Sequence, residues 1–116
     1  MDGLIIKDPW IGMVLDNFKS WEIRGSKTEK RGTIYLIRSG SGYIVGQTDI
    51  VGCIELTEER FEENKEKHRV ETGYEKVPYK SPWAWIFENS IRFQEPIPYI
   101  HPRGAVIWVK GLQKKI

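Results

Sequence analysis

The chain alternates short apolar runs with polar, glycine-bearing breaks, and the period of the apolar positions changes along it. Leu4 to Lys7 reads as a first strand. Asp8-Pro9 then predicts a helix start, with Asp8 at the N-cap and Pro9 at the first helical position. Trp10, Ile11, Val14 and Leu15 form one stripe at helical spacing, and Asn17 suits the left-handed residue that ends such a helix. Residues 20 to 25 alternate, sending Trp21 and Ile23 to one face and Ser20, Glu22 and Arg24 to the other. A basic loop bounded by Gly25 and Gly32 leads to Thr33–Arg38, whose nearly continuous apolar character predicts a strand buried on both faces. Ser39-Gly40-Ser41-Gly42 turns the chain into Tyr43 to Thr48 and Ile50 to Leu56, a further strand or hairpin with Gly46 and Gly52 at bends or bulges.

From Thr57 to His68 the run is acidic first and basic last, with Phe61 its single large apolar residue, which predicts one solvated surface helix. Residues 69 to 82 form a long connection whose tyrosines fold back on the body. Alternation returns from Trp83 to Gln94 as two strand pieces around Glu88-Asn89-Ser90, and Pro96 and Pro98 forbid a regular interior strand beyond them. Ala105 to Val109 predicts a closing strand before a lysine-rich tail. No repeat or low-complexity segment is present. Short strands punctuated by glycine and proline predict a mainly β fold with flanking helices, built as a closed or nearly closed small barrel.

At 116 residues the chain suits one domain with one core. Eighteen basic against sixteen acidic residues leave a net charge of +2, too weak a field to demand a polyanion partner. The start, Met1-Asp2-Gly3 and then three apolar residues, does not read as a secretory signal, and no apolar stretch is long enough to span a bilayer. Cys53 is the single cysteine, so neither an intrachain disulfide nor a cysteine-rich zinc site can form, and a cytoplasmic location is expected. Five Trp, five Tyr and four Phe supply both core area and stacking surface.

Asn17 to Arg24 is the stretch with the densest chemistry. Arg24 keeps its proton, so it holds Glu22 ionised through a forked hydrogen bond. Lys19 is the mobile member: a partly dry cleft pulls its ammonium toward neutrality while Glu22 holds it charged. Taken alone, such a triple is more often an inert surface ion pair. Trp10, Trp21 and Trp85 are candidates for a wall that stacks a base, although any single tryptophan is more commonly core. His68 and His101 lack neighbouring ligands for a metal site, and Ser20 and Ser39 lack a nearby histidine for a hydrolytic triad. No metal or cofactor is expected. Loop 27 to 31 offers phosphate contacts, with a solvated turn as its commoner meaning.

These residues resemble the ASCH (activating signal cointegrator homology) domain family of the PUA-like superfamily. Its signature, glycine-x-lysine-x-x-glutamate-x-arginine, is met by Lys19, Glu22 and Arg24, with Asn17 in place of the glycine. Pro9-Trp10, Arg31-Gly32, Thr33–Arg38, Ser39 and Gly52–Leu56 continue the likeness, as do Tyr79–Trp85, Phe93–Pro98, Gly104 and Trp108. Asn is the next best residue after glycine at positive φ.

The resemblance implies a small PUA-like β-barrel whose signature residues line a cleft. Members of the family are linked to RNA binding, to RNA cleavage and, in one branch, to hydrolysis of N4-acylated cytidines. That branch has threonine at the position of Glu22 and a further carboxylate, for which Glu55 and Glu71 are both candidates here. Lys19, Glu22 and Glu71 are accordingly expected to carry the chemistry, and Arg24, Trp10, Trp85 and Glu55 to hold a small nucleoside or nucleobase substrate. Two classes stay open: a metal-independent amidohydrolase, or an RNA-binding module or ribonuclease. A membrane partner is not expected, and the oligomeric state stays open.

Overall fold

The computed structural model describes residues 1–113; the end of the lysine-rich tail, 114–116, lies outside the described residues. Among the described residues six strands form one sheet: β1 (Gly3–Ile6), β2 (Trp21–Arg24), β3 (Gly32–Arg38), β4 (Tyr43–Glu55), β5 (Trp83–Pro98) and β6 (Trp108–Val109). Their order is β2-β5-β4-β3-β1-β6. β1 runs parallel to β3, and both bury the two faces of their central residues: Leu4, Ile6, Ile34 and Leu36 meet one core, while Ile5, Tyr35 and Ile37 meet another. That is the continuous apolar reading of residues 33–38 realised. Helix α1 (Trp10–Leu15) adds Ile11, Val14 and Leu15 to the first core, beside Trp85 and Phe87. It begins one residue later than the cap pattern suggests, because Pro9 occupies the cap and the Asp8 carboxylate is taken by the Arg38 guanidinium.

β4 and β5 are long antiparallel partners whose register shifts near Gly46 and Gly52, where bends were expected. At Gly46 the approach is tight enough that a Cβ would lie 2.4 Å from the Ile91 carbonyl oxygen. The two strand pieces expected around Glu88-Asn89-Ser90 are instead one strand of 16 residues. Asn89 takes φ 57° at an irregularity that interrupts the register without ending the strand. Pro96 and Pro98 are accommodated because β2 pairs with β5 only from Trp83 to Ile86, leaving the far end of β5 paired on one side. The closing strand is short: of 105–109, Trp108 and Val109 alone pair, with Leu4 and Gly3 of β1.

The fold is mainly β with a few short helices, as expected, but the sheet is not closed. β2 and β6 are its two ends and share no ladder. β2 nonetheless lies across from β1, because the Arg24 Nη2 donates to the Ile5 carbonyl at 2.8 Å and residues of both strands wall one cavity. A side chain makes the junction that a closed barrel makes with backbone. The expected single helix over 57–68 is also two: α2 (Glu58–Glu62), capped by the Thr57 hydroxyl, and α3 (Lys65–His68). Asn64 breaks the run, its side-chain amide donating to the Arg60 carbonyl at 2.7 Å while its own backbone leaves helical geometry. The break turns Phe61 and His68 inward, where their rings stack with centroids 4.0 Å apart.

Candidate active site

Asn17, at φ 63°, ends α1 and folds the chain back so that the Phe18 and Lys19 amides both donate to the Met13 carbonyl. The next residues are fastened to the end of α3. The Ser20 amide donates to the Lys67 carbonyl at 2.9 Å, Arg69 Nε to the Phe18 carbonyl at 2.8 Å, and Lys19 Nζ to the His68 carbonyl at 2.5 Å. Three bonds thus fix which way Lys19 points. Strand alternation then aims Glu22 and Arg24 at the cavity and Trp21 at the opposite side, against Leu56, Phe61 and Ala84.

Lys19 is 2% exposed and Glu22 5% exposed, which separates them from a surface ion pair. Glu22 Oε2 accepts from Arg24 Nε at 3.0 Å and lies 2.9 Å from Nη2; Oε1 lies 3.8 Å from Lys19 Nζ. The Lys19 ammonium sits 5.0 Å from the centroid of the Trp10 ring, and Arg24 lies 5.6 Å from that of Trp85. Burial pulls the Lys19 pKa down from 10.5 to about 8, with Glu22 opposing the shift and Arg24 adding to it. The shift enlarges the share of Lys19 present as the free amine near neutral pH. Such a group can accept a proton or attack an electrophile at physiological pH, which an exposed lysine rarely does.

These side chains open on a cavity of about 400 Å³, whose walls also include Ile5, Lys7, Ser39, Thr72, Lys76 and Tyr79. Its size suits one base-sized ligand. Trp10 belongs to the wall, as expected. Trp85 does not: it is buried in the first core, stacked on Trp108 at 5.9 Å, with its indole N–H donating to the Ser26 carbonyl at 2.8 Å. Trp21 is likewise core. Neither candidate for a further carboxylate reaches the wall. Glu55 is exposed at the end of β4, and Glu71 is exposed although both of its neighbours, Val70 and Thr72, line the cavity. Glu22 is the one carboxylate among the described lining residues.

The aromatic residue facing the cavity that sequence reasoning missed is Tyr79. A Cβ on Gly25 would lie 2.7 Å from Tyr79 Cδ1, so the bare glycine after β2 is what seats this ring. Gly25 is the local signal for this contact, and in the sequence it marks a loop boundary equally well. Lys7 and Lys76 gave no local signal, since each lies in a segment that tertiary contact alone brings to the mouth; Ser39 stood in the family likeness, but nothing local placed it on a cavity. Among the described residues no group of three or more His, Cys, Asp or Glu side chains is placed to hold a metal ion, and no helix is long and apolar enough to cross a membrane.

A family model described as ASCH domain matches residues 4–97. No curated protein matches the sequence. Among solved structures the chain is similar to the ASCH protein of Zymomonas mobilis, with a TM-score of 0.66 at 8% identity over 84% of this chain and 72% of that one. Two single-substitution variants of that protein align comparably. One gives a TM-score of 0.69 at 9% identity over 94% of this chain and 87% of that one; the other gives 0.66 at 8% over 84% and 74%. At such identities the likeness speaks for the fold alone.

Proposed function

Since the chain belongs to the ASCH domain family, we propose that it is a hydrolase of small N-acylated nucleosides or bases, with N4-acylated cytidine the model substrate, and that Lys19 is its catalytic base. The observation that carries this reading is Lys19 itself: a lysine 2% exposed, held at a pKa of about 8, on the wall of a cavity sized for a base. In the reaction the neutral Lys19 amine takes a proton from water as the oxygen adds to the acyl carbon. The ammonium so formed faces Glu22 Oε1, and it returns the proton to the exocyclic nitrogen as the carbon–nitrogen bond breaks, leaving a carboxylic acid and the free amine. Arg24 fixes Glu22 through two contacts, so that Glu22 Oε1 is held toward the Lys19 ammonium and can steady it. Trp10 supplies an aromatic ring on the cavity wall for contact with the base. Neither Glu55 nor Glu71 has a part in this scheme.

The test is incubation of the protein with N4-acetylcytidine in EDTA, following cytidine by chromatography. Steady release that Lys19→Arg abolishes is the expected result. No turnover, with binding of single-stranded RNA retained, overturns the amidohydrolase in favour of a binding module or ribonuclease.

A further inference from the structure

The cavity carries more positive charge than its own acid can balance. Lys7, Lys19, Arg24 and Lys76 line it, against Glu22 alone. Arg24 and Lys19 are already committed to Glu22 and to the Ile5 and His68 carbonyls. The surplus therefore lies with Lys7 and Lys76 at the exposed mouth, neither of which pairs with a carboxylate among the described residues; Asp8, beside Lys7, is held by Arg38.

A second cavity, of about 710 Å³, adjoins the first and shares Ile5, Lys7, Ser39 and Val106 with it. Among the described residues its wall has no carboxylate, and it carries Ser41, Tyr99 and His101. Lys7 and Ser39 come together for a topological reason. β1 and β3 run parallel with Ile6 opposite Arg38, and the Ser39 amide donates to the Ile6 carbonyl at 2.9 Å. Each strand thus delivers its next residue to the same crevice, beyond the carboxyl ends of two parallel strands, where α/β proteins also place their ligands. An ammonium and a hydroxyl on the wall that the two cavities share, with a second ammonium on the wall of the first, match the oxygens of a phosphate ester.

We propose that the site takes a nucleotide in preference to a neutral nucleoside, with its phosphate ester seated between Lys7 and Ser39 where the two cavities meet. The base enters the Lys19 cavity, and whatever the phosphate bears beyond it extends into the second. The inference rests on the cytosine-type ligand proposed above, but its test does not depend on turnover.

Calorimetric titration of the full chain with cytidine, cytidine 5′-monophosphate and a trinucleotide with central cytidine measures the phosphate preference directly. The monophosphate should bind at least about tenfold tighter than cytidine, with the ratio falling as salt is raised. The ratio should drop toward one in Lys7→Ala and persist in Lys80→Ala, which removes an exposed lysine that lines neither cavity. Tighter binding of the trinucleotide assigns the phosphate to a strand; equal or weaker binding assigns it to a free mononucleotide. Equal affinity for cytidine and its monophosphate, a ratio unchanged by Lys7→Ala, or no binding of any of them overturns the proposal. Deacylation of N4-acetylcytidine without a phosphate preference sinks this inference alone, and a phosphate preference without deacylation sinks the proposed reaction alone.

Discussion

Lys19 has two environments pulling in opposite directions. Dry walls disfavour its charge, while a carboxylate 3.8 Å away and a carbonyl at 2.5 Å favour it. The balance falls near pH 8, inside the range where a general base is useful. The free amine is the active form, so the rate should rise with pH, level off above about 8 and fall on the acidic side as Lys19 takes up its proton. Arginine keeps the charge but cannot deprotonate in this range. Lys19→Arg should therefore lower kcat by about 10²–10⁴ and abolish the acidic limb in any residual rate. A variant that keeps most of the wild-type kcat shows the lysine to be an electrostatic clamp instead. The same reasoning cannot be extended to Trp85, whose ring is locked in the core, so its truncation damages folding before it informs on substrate binding.

At the scale of elements, the site depends on segments that hold one another in place. Residues 18–20 are tied to the end of α3, and the Phe61–His68 stack anchors α3 beneath them. The loop after β2 is fitted to the 69–82 connection through Gly25 and Tyr79. Here a small change has a specific expected effect. Gly25→Ala places a methyl against the Tyr79 ring, which must tilt out of the cavity wall. KM should rise several-fold with kcat little changed, because Lys19, Glu22 and Arg24 are untouched. Steady-state kinetics on the variant decide it, and a fall in kcat alone argues against Tyr79 as a binding surface. The alternation over 20–25 made the Glu22–Arg24 pair legible in advance. The break at Asn64 was not legible, because a lone asparagine in a run of helix-forming residues gives no sign of whether its side chain will bond backward to its own helix.

For the whole molecule, Arg24 is the tie between the two arms of an open sheet. Its guanidinium joins Glu22 on β2 to the Ile5 carbonyl on β1, with little solvent access to either charge. Arg24→Ala leaves a buried carboxylate facing only Lys19 at 3.8 Å and should cost about 3–5 kcal/mol. Adding Glu22→Gln removes the stranded charge and should recover part of that loss. Denaturant titration of the single and double variants measures both. If Arg24→Ala is neutral, the two arms are held by the apolar core alone.

The sequence by itself determined the mainly β fold with small helices, the inward strands, the bulges at Gly46 and Gly52, and the facing of Glu22 and Arg24. All of these follow from periodicity and backbone preference, which act over a few residues. Tertiary structure alone decided that Lys19 is dry, that Glu55 and Glu71 stand away from it while Lys7, Ser39, Lys76 and Tyr79 approach, and that the sheet stays open. Desolvation and proximity are properties of what surrounds a group, and here the surroundings come from β1, α3 and the 69–82 connection, far from residue 19 along the chain.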